Sequence, residues 1–408
     1  MRLKDVAKLN IRSLDDSTSG DYMFKYIDIS SVSFEEGIVL GENIAFRNAP
    51  SRARRIVQKG DVLISTVRTY LRAIADIDWN AENVIASTGF AVFTPNRSIN
   101  PRYMAYTVKS SEVINQICRM SKGVSYPAIQ APIISSVDIP FYPLTKQEVI
   151  AAYLDKECGK IGKEISLLER KADCYRRLKR SLINQAVIRG INPDVTMKSS
   201  GIPWIESIPE HWGIKRGKSI LQEINRDVRS EDSIVTCFRD GEVTLRTNRR
   251  ITGFTESEKE IGYHGVRVGD LVIHQMDAFA GAIGISDSDG KCSPICIVCR
   301  PLNEGEIDLG YYCQLFRVMA HSGFIQSLAK GIRERTTDFR YKTLVMLHFP
   351  VPPYTEQQKI VAFLNEKCNK IDLIINKIES KIKRLKELKR SLINEVVTGK
   401  HAINISKS

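Results

Sequence analysis

The chain is predicted to be an α+β protein: two similar α/β-mixed modules separated by two long helices that form an antiparallel coiled coil. Three observations predict this. The segment 145–184 recurs at 355–394, about 210 residues later, with no gap needed, and Leu178–Asn184 is identical to Leu388–Asn394. Apolar residues in both copies recur in alternating steps of four and three, the seam of a coiled coil. The text ahead of each copy mixes strand-like runs and turns, with matching landmarks at nearly the same offset.

At 408 residues the chain exceeds one ordinary domain, and each half is long enough for its own core. The order expected is a first module over 1–143, a helix over 144–190, a linker over 191–212, a second module over 213–353, a helix over 354–400 and a tail over 401–408. Lys59-Gly-Asp-Val-Leu-Ile-Ser-Thr in the first module is matched by Val268-Gly-Asp-Leu-Val-Ile-His in the second. Both read as a turn leading into a strand. Lys122-Gly123 and Lys330-Gly331 each precede, by roughly 20 residues, a strand-like run into prolines. A shared scaffold with different loops suits two modules that read two different targets.

Each helix is expected to open on a proline and a capping box, Thr145-x-x-Glu148 after Pro143 and Thr355-x-x-Gln358 after Pro353. The first seam runs Leu154, Cys158, Ile161, Ile165, Leu168, Ala172, Tyr175, Leu178, Leu182. The second runs Leu364, Cys368, Ile371, Ile375, Ile378, Ile382, Leu385, Leu388, Leu392. Gly190 with Pro193, and Gly399, are the stops. About 44 residues at 1.5 Å each make roughly 65 Å of helix. An isolated helix of this kind would expose a long apolar stripe, so each copy is expected to bury its seam against the other. In the linker, Ile202, Trp204, Ile205, Ile208 and Trp212 predict packing on a module.

Net charge is +13, which favours a polyanionic partner. Residues 145–190 hold 11 Lys/Arg against 6 Asp/Glu, and 355–400 hold the same numbers, so the helices carry most of the excess. No stretch is apolar enough for a membrane span, and MRLKDVAKLN puts charges where a signal peptide needs an apolar run, so a cytoplasmic location is expected. The nine cysteines are odd in number and scattered, as reduced core thiols are. Cys292, Cys296, Cys299 and Cys313 are candidate zinc ligands by spacing, but PICIVCR reads as a buried strand, where positions three apart face opposite sides. No metal is expected.

Catalytic text is missing. There is no G-x-x-x-x-G-K-[ST] loop, no H-E-x-x-H, no G-x-S-x-G and no glycine fingerprint after a strand. Val351-Pro-Pro-Tyr354 resembles the Pro-Pro-aromatic core of amino-methyltransferase motifs. Those need Asn or Asp first, to accept from the target amine, and Val351 has no acceptor. The segment is therefore read as the start of a helix, and the chain as non-catalytic.

The helix start Thr355-Glu-Gln-Gln-Lys-Ile-Val-Ala-Phe-Leu, the repeated helix ends and the phrase Gly201-Ile-Pro-Trp-Ile-Glu-Ser-Ile-Pro-Glu-His-Trp carry a resemblance. Lys59–Ser65 and Ser87-Thr-Gly-Phe-Ala-Val-Phe add to it. The arrangement resembles the specificity (S) subunit of type I restriction-modification systems. Lys146 departs from the glutamate usual at that place, a surface change. The resemblance implies two target recognition domains and two conserved spacer helices. It implies a bipartite, asymmetric double-stranded DNA target with a nonspecific gap. It also implies two methyltransferase (M) subunits and, in the full complex, two motor-nuclease (R) subunits. S-adenosylmethionine, ATP and Mg2+ would belong to those partners. The alternatives are a stand-alone two-headed DNA-binding regulator and a scaffold that bridges partners.

Base and phosphate contacts call for donor-rich loops. The first module offers Arg52, Arg54, Arg55, Arg68, Tyr70, Arg72, Lys122, Ser125 and Tyr126. The second offers Arg246, Asn248, Arg249, Arg250, Gln275, Arg333, Arg335, Thr336, Thr337, Arg340 and Tyr341. The stretch Arg333–Arg340 is the strongest candidate, being densest in donors.

Overall fold

The computed structural model describes residues 1–35, 37–123, 126–249, 261–328 and 339–401. The chain divides into two compact units, Met1–Lys171 with Lys377–Ser408, and Ala172–Asn376. The long helices are Leu144–Arg189 and Tyr354–Val397, of 46 and 44 residues. The division cuts across both, so each unit contains the start of one helix and the end of the other.

In unit 1 the central antiparallel sheet has the order Ala7–Leu9, Phe90–Pro95, Val62–Ser65, Ile74–Asp76. Both faces are covered. Ile64, Ile74, Ala91 and Phe93 pack against the helix Pro101–Val108, the helix Ser111–Met120 and the long-helix residues Ile150, Leu154, Ile393 and Val397. Leu63, Ala75, Phe90 and Val92 face the opposite core with Ile27, Val57 and Val84. Burial on both faces is why Val62–Ser65 is a continuous apolar run rather than an alternating one. A second four-stranded sheet, Asn43–Ala45, Met23–Ile27, Val84–Ser87, Ala53–Ile56, forms the outer layer.

Unit 2 repeats the inner sheet as Leu221–Glu223, Cys296–Pro301, Leu271–His274, Ile283–Ile285. Its outer layer differs, with two separate pairs, Val235–Cys237 with Val243–Leu245 and His264–Val266 with Gly290–Cys292. Cys296 and Val298 face that layer beside Cys237 and Cys292, while Ile297 and Cys299 face the helices. Period-two alternation thus separates the cysteine pair weighed for zinc. Among the described residues no group of three or more His, Cys, Asp or Glu is placed to hold a metal ion.

The matching turns have one structural purpose. Gly60 and Gly269 adopt φ of +95° and +87°, a region that suits glycine. Each turn delivers a buried aspartate to the start of an interior strand of the inner sheet. Asp61 accepts from Arg12 at 2.5 Å, the Thr94 hydroxyl at 2.6 Å and the Gln58 N–H at 2.8 Å. Asp270 accepts from Arg300 Nε at 2.5 Å, the Arg267 N–H at 2.8 Å and Arg226.

The helix starts differ from expectation. Leu144 and Tyr354 are already helical, and Gln147 and Gln357 N–H groups donate to Pro143 and Pro353 carbonyls. Thr145 and Thr355 therefore lie inside the first turn, not at the cap. The working residue is one nobody would pick from a cap pattern: Gln147 and Gln357 are fully buried. Gln147 Oε1 accepts the Asn100 N–H at 2.8 Å and its amide donates to Tyr142 and Ser98 carbonyls. Gln357 Oε1 accepts the Asp308 N–H at 2.8 Å, and its Nε2 amide donates to Pro352 and Glu306 carbonyls. Asn100 and Asp308 are themselves the N-caps of Pro101–Val108 and Leu309–His321. One buried amide in each unit locks the long helix to the module.

Within each unit the helix halves pack as the seam predicts, with one shared exception. Leu154, Ile165, Ala172, Leu364, Ile371, Ile375 and Ile378 are buried, and ion pairs join the halves: Lys381–Glu164 at 2.7 Å in unit 1 and Lys179–Asp372 at 2.6 Å in unit 2. Leu178 and Leu388 are 52% and 54% exposed. At these turns the half-buried Lys179 and Lys389 take the inward place, because the seam drifts at the helix ends where the modules, not only the other helix, supply the contacts. Gly190 and Gly399 end the helices at φ of +77° and +75°. The segment expected to be a linker forms a hairpin, Met197–Ile202 with Ile205–Pro209, whose Ile202, Ile205 and Ile208 join the unit 2 core with Trp212.

Candidate nucleic-acid interface

In unit 1 the strand Val62–Ser65 runs out of the sheet into a tight corner. Val67 bridges to Ala128, and the Arg68 N–H donates to the Pro127 carbonyl at 2.7 Å. A 3-10 turn, Thr69–Leu71, follows, tied to the helix Ser111–Met120 by a 2.9 Å contact between the Thr69 and Ser121 hydroxyls. Arg68 and Arg72, on either side of this turn, both adopt left-handed backbone, with φ of +48° and +57°. Non-glycine residues there carry strain of about 1 kcal/mol or more each, and such strain persists where the surroundings over-determine it.

The corner gathers several of the candidates. The Arg68 guanidinium lies 4.3 Å from the centre of the Tyr126 ring. Tyr70 and Tyr126 are exposed. Lys122 bridges to Ala128 across the same loop, and Arg72 closes the turn. Arg52 is brought nearby by its carbonyl, which accepts the Thr88 N–H at 2.8 Å, next to Gly89, which accepts from Thr66. Arg54 is engaged elsewhere, with Asp16 at 3.3 Å and over the Phe46 ring. Arg55 is half-buried in the outer sheet, and its Nε has no partner among the described residues. Ser125 lies outside the described residues.

Unit 2 builds the same corner with other side chains. Gln275 follows Leu271–His274 as Thr66 follows Val62–Ser65, and its carbonyl accepts the Phe339 N–H at 3.2 Å, as Thr66 accepts from Ile129. The 3-10 turn Ala278–Ala280 comes next. Arg239, which is not among the candidates named above, pairs with Asp277 at 2.8 Å. Arg249 pairs with Asp240 at 2.8 Å and lies over the Phe238 ring. These links join the short helix Arg246–Arg249, with Arg246 and Asn248, to the corner through the turn that contains Arg239. The Asn248 amide donates to the Thr244 hydroxyl at 2.8 Å. Arg340 begins the next short helix, while the Tyr341 hydroxyl donates to the Leu221 carbonyl at 3.0 Å and so belongs to the interior. Arg250, Arg333, Arg335, Thr336 and Thr337 lie outside the described residues. The Arg239-Asp240-Gly241 turn was the one signal that marked Arg239.

His274 sits at the end of the strand. Its Nδ1 accepts the Asp277 N–H at 3.1 Å, which needs the ring unprotonated there. Burial pushes its pKa below 6.5; Asp277 opposes that and Arg239 adds to it. No helix among the described residues is long and apolar enough to cross a membrane.

Residues 1–166 match the family described as type I restriction modification DNA specificity domain. The MjaVIII type I restriction enzyme specificity subunit of Methanocaldococcus jannaschii is 25% identical over 336 residues, covering 78% of this chain and 74% of that one. The EcoKI specificity subunit of Escherichia coli K12 is 23% identical, covering 76% and 67%. In fold, a chain from a structural study of the assembly and conformational transition of the type I R-M system superposes with a TM-score of 0.71. It is 20% identical, with 97% of this chain and 96% of that one covered. Residues 1–166 thus match the type I restriction modification DNA specificity domain, and about three quarters of the chain is similar in sequence to specificity subunits of type I restriction enzymes.

Proposed function

We propose that this chain is the DNA sequence-specificity subunit of a type I restriction-modification complex. It binds a bipartite, asymmetric DNA target with a nonspecific gap and directs partner methyltransferase and nuclease subunits to it. It is not itself the enzyme: S-adenosylmethionine, ATP and Mg2+ act on the partners. The observation that supports this reading best is the corner built twice. The same strand, 3-10 turn and returning backbone contact, Ile129 on Thr66 and Phe339 on Gln275, recur over the same sheet order, but the positions of Thr66 and Arg68 in one are held by Gln275 and Asp277 in the other. A conserved frame with different donors and acceptors is what two readers of two half-sites need. The exposed cations of the corners contact phosphates, and the strained turn of unit 1 holds side chains toward base edges. Duplicated helix surfaces suit two copies of one methyltransferase subunit related by approximate two-fold symmetry.

Co-expression with an adenine methyltransferase subunit of such a system, followed by genome-wide mapping of methylated adenine, tests the proposal. The expected outcome is methylation at one two-part sequence with a fixed gap, absent without this chain. Methylation at a single contiguous motif, or none that depends on this chain, overturns it.

A further inference from the structure

In unit 1 the end of the second long helix is met by an acidic-aromatic loop of the same unit. Arg390 pairs with Glu35 and lies 5.5 Å from the centre of the Phe34 ring. Behind this contact is a cavity of about 370 Å³ whose charges are mixed. Lys109 donates to Asp76 at 3.1 Å, and Arg102 pairs with Asp76 and Asp155.

Unit 2 has a cavity in the duplicated position, and its charge is not balanced. The residues that duplicate Lys389, Arg390 and Ile393 are Lys179, Arg180 and Ile183. The helix facing them, Leu309–His321, stands where Pro101–Val108 stands, since the two start on the equivalent caps Asp308 and Asn100. The cavity between the helix end and this helix is about 610 Å³, with Arg177, Lys179, Arg180, Arg317 and His321 in its wall and, among the described residues, no acidic side chain. Asp155 is duplicated as Asn365. Asp76, which pairs with Val62 in the sheet, is replaced by Ile285, which pairs with Leu271. Arg317 donates to the Gly281 carbonyl at 3.0 Å, and Lys179 reaches Asp372 outside the cavity. The Arg180 guanidinium has no hydrogen bond or ion pair among the described residues. Burial, with Arg317 and Arg180, pushes the His321 pKa down, as a site short of anions should.

We propose that this cavity is a docking site for a protein segment in which an aromatic side chain is followed by a carboxylate, the chemistry that Phe34–Glu35 supplies to the duplicated arginine in unit 1. The carboxylate takes the fork of Arg180, and the ring packs under the guanidinium. The site is small, so its affinity by itself is modest. It gains when the segment belongs to a partner already held to this chain.

The test is fluorescence anisotropy of a labelled peptide with the sequence of residues 31–37, Ser-Val-Ser-Phe-Glu-Glu-Gly, titrated with the full chain. The expected result is saturable binding tighter than about 1 mM. Arg180→Glu weakens it at least tenfold, Arg177→Glu weakens it also, and Arg180→Lys falls between, because lysine keeps the charge but not the fork. Peptides with Phe→Ala or with both Glu→Gln bind at least tenfold more weakly. Circular dichroism of each variant establishes that it is folded; both arginines are exposed. No saturable binding, binding indifferent to Arg180→Glu, or equal binding of the altered peptides overturns the proposal. So does displacement of the peptide by inorganic phosphate or a DNA duplex at concentrations below the peptide's own dissociation constant, which would make the cavity a phosphate site.

Discussion

The Asn100 N–H donates to the side-chain carbonyl of Gln147 at 2.8 Å, within a buried corner of unit 1. The same bond, at the same length, joins Asp308 to Gln357 in unit 2. In each unit one glutamine satisfies the backbone of a helix cap and of the residue just before the proline that precedes the long helix, Tyr142 or Pro352, so module and helix are fixed by a fully bonded polar group rather than by apolar contact alone.

Gln147→Leu and Gln357→Leu are therefore expected to destabilise their own units. Each leaves one N–H and two carbonyls without a partner in a dry site, at a cost of ~2 kcal/mol or more. A lower melting temperature, by about 5 °C for a unit of this size, checks this in a calorimetric scan. Unchanged melting of either variant contradicts it.

Asp270→Ala is expected to cost about 3 kcal/mol, because Arg226 and Arg300 lose a fully buried acceptor and the Arg267 N–H is orphaned. Asp61→Ala in unit 1 acts in the same direction through Arg12 and Thr94. Urea titration followed by tryptophan fluorescence gives the Asp270 value directly, since all but one tryptophan lie in unit 2.

Arg72→Gly separates folding from binding. Glycine relieves the left-handed backbone at φ +57°, so stability rises by about 1 kcal/mol. Affinity for the methylated DNA site falls, because the donor is gone. Arg68→Ala weakens binding by ~1–3 kcal/mol at one base position if it reads an edge, and equally for all sequences if it holds a phosphate. Thermal melts together with binding to the site and to single-base variants distinguish these outcomes.

Stability of unit 2 should fall with acid earlier than carboxylates alone require. His274 and His321 are both pushed below 6.5, first by burial. The unfolded chain then takes up protons before the folded one. The stabilisation is complete above about pH 6.5 and is lost as pH falls through that value toward the lower folded pKa values. Melting temperatures measured from about pH 7.5 to 5.5 should decline, and the His274→Gln/His321→Gln double variant should show a flatter slope.

Deleting one heptad from each long helix is expected to shorten the gap between half-sites while leaving both half-sites unchanged. Methylation mapping of the deleted chain checks this; an unaltered gap rules out the helices as the determinant of spacing.

Much of the protein was legible in its residues. The duplication, both long helices, their stops at Gly190 and Gly399 and the paired Gly-Asp turns follow from local rules, because period, glycine conformation and identity between copies need no distant partner. The cysteine alternation was legible for the same reason. Of the interface candidates, Arg68, Tyr70, Arg72, Lys122 and Tyr126 come together, but Arg54 and Tyr341 carry the same donors and point to Asp16 and Leu221. Nothing in a sequence tells an arginine in a strained corner from one paired across a sheet.

Sequence alone determined what is periodic or repeated: two modules of one plan, two amphipathic helices and no catalytic text. Tertiary structure decided which copies of a repeated residue stay equivalent. Gln147 and Gln357 are polar in the sequence yet buried, and Leu178 and Leu388 are apolar yet exposed. Arg390 meets Glu35 while its duplicate Arg180 faces an open cavity. The reason is physical: burial and charge pairing depend on neighbours brought in from far along the chain, and those neighbours differ between the two units.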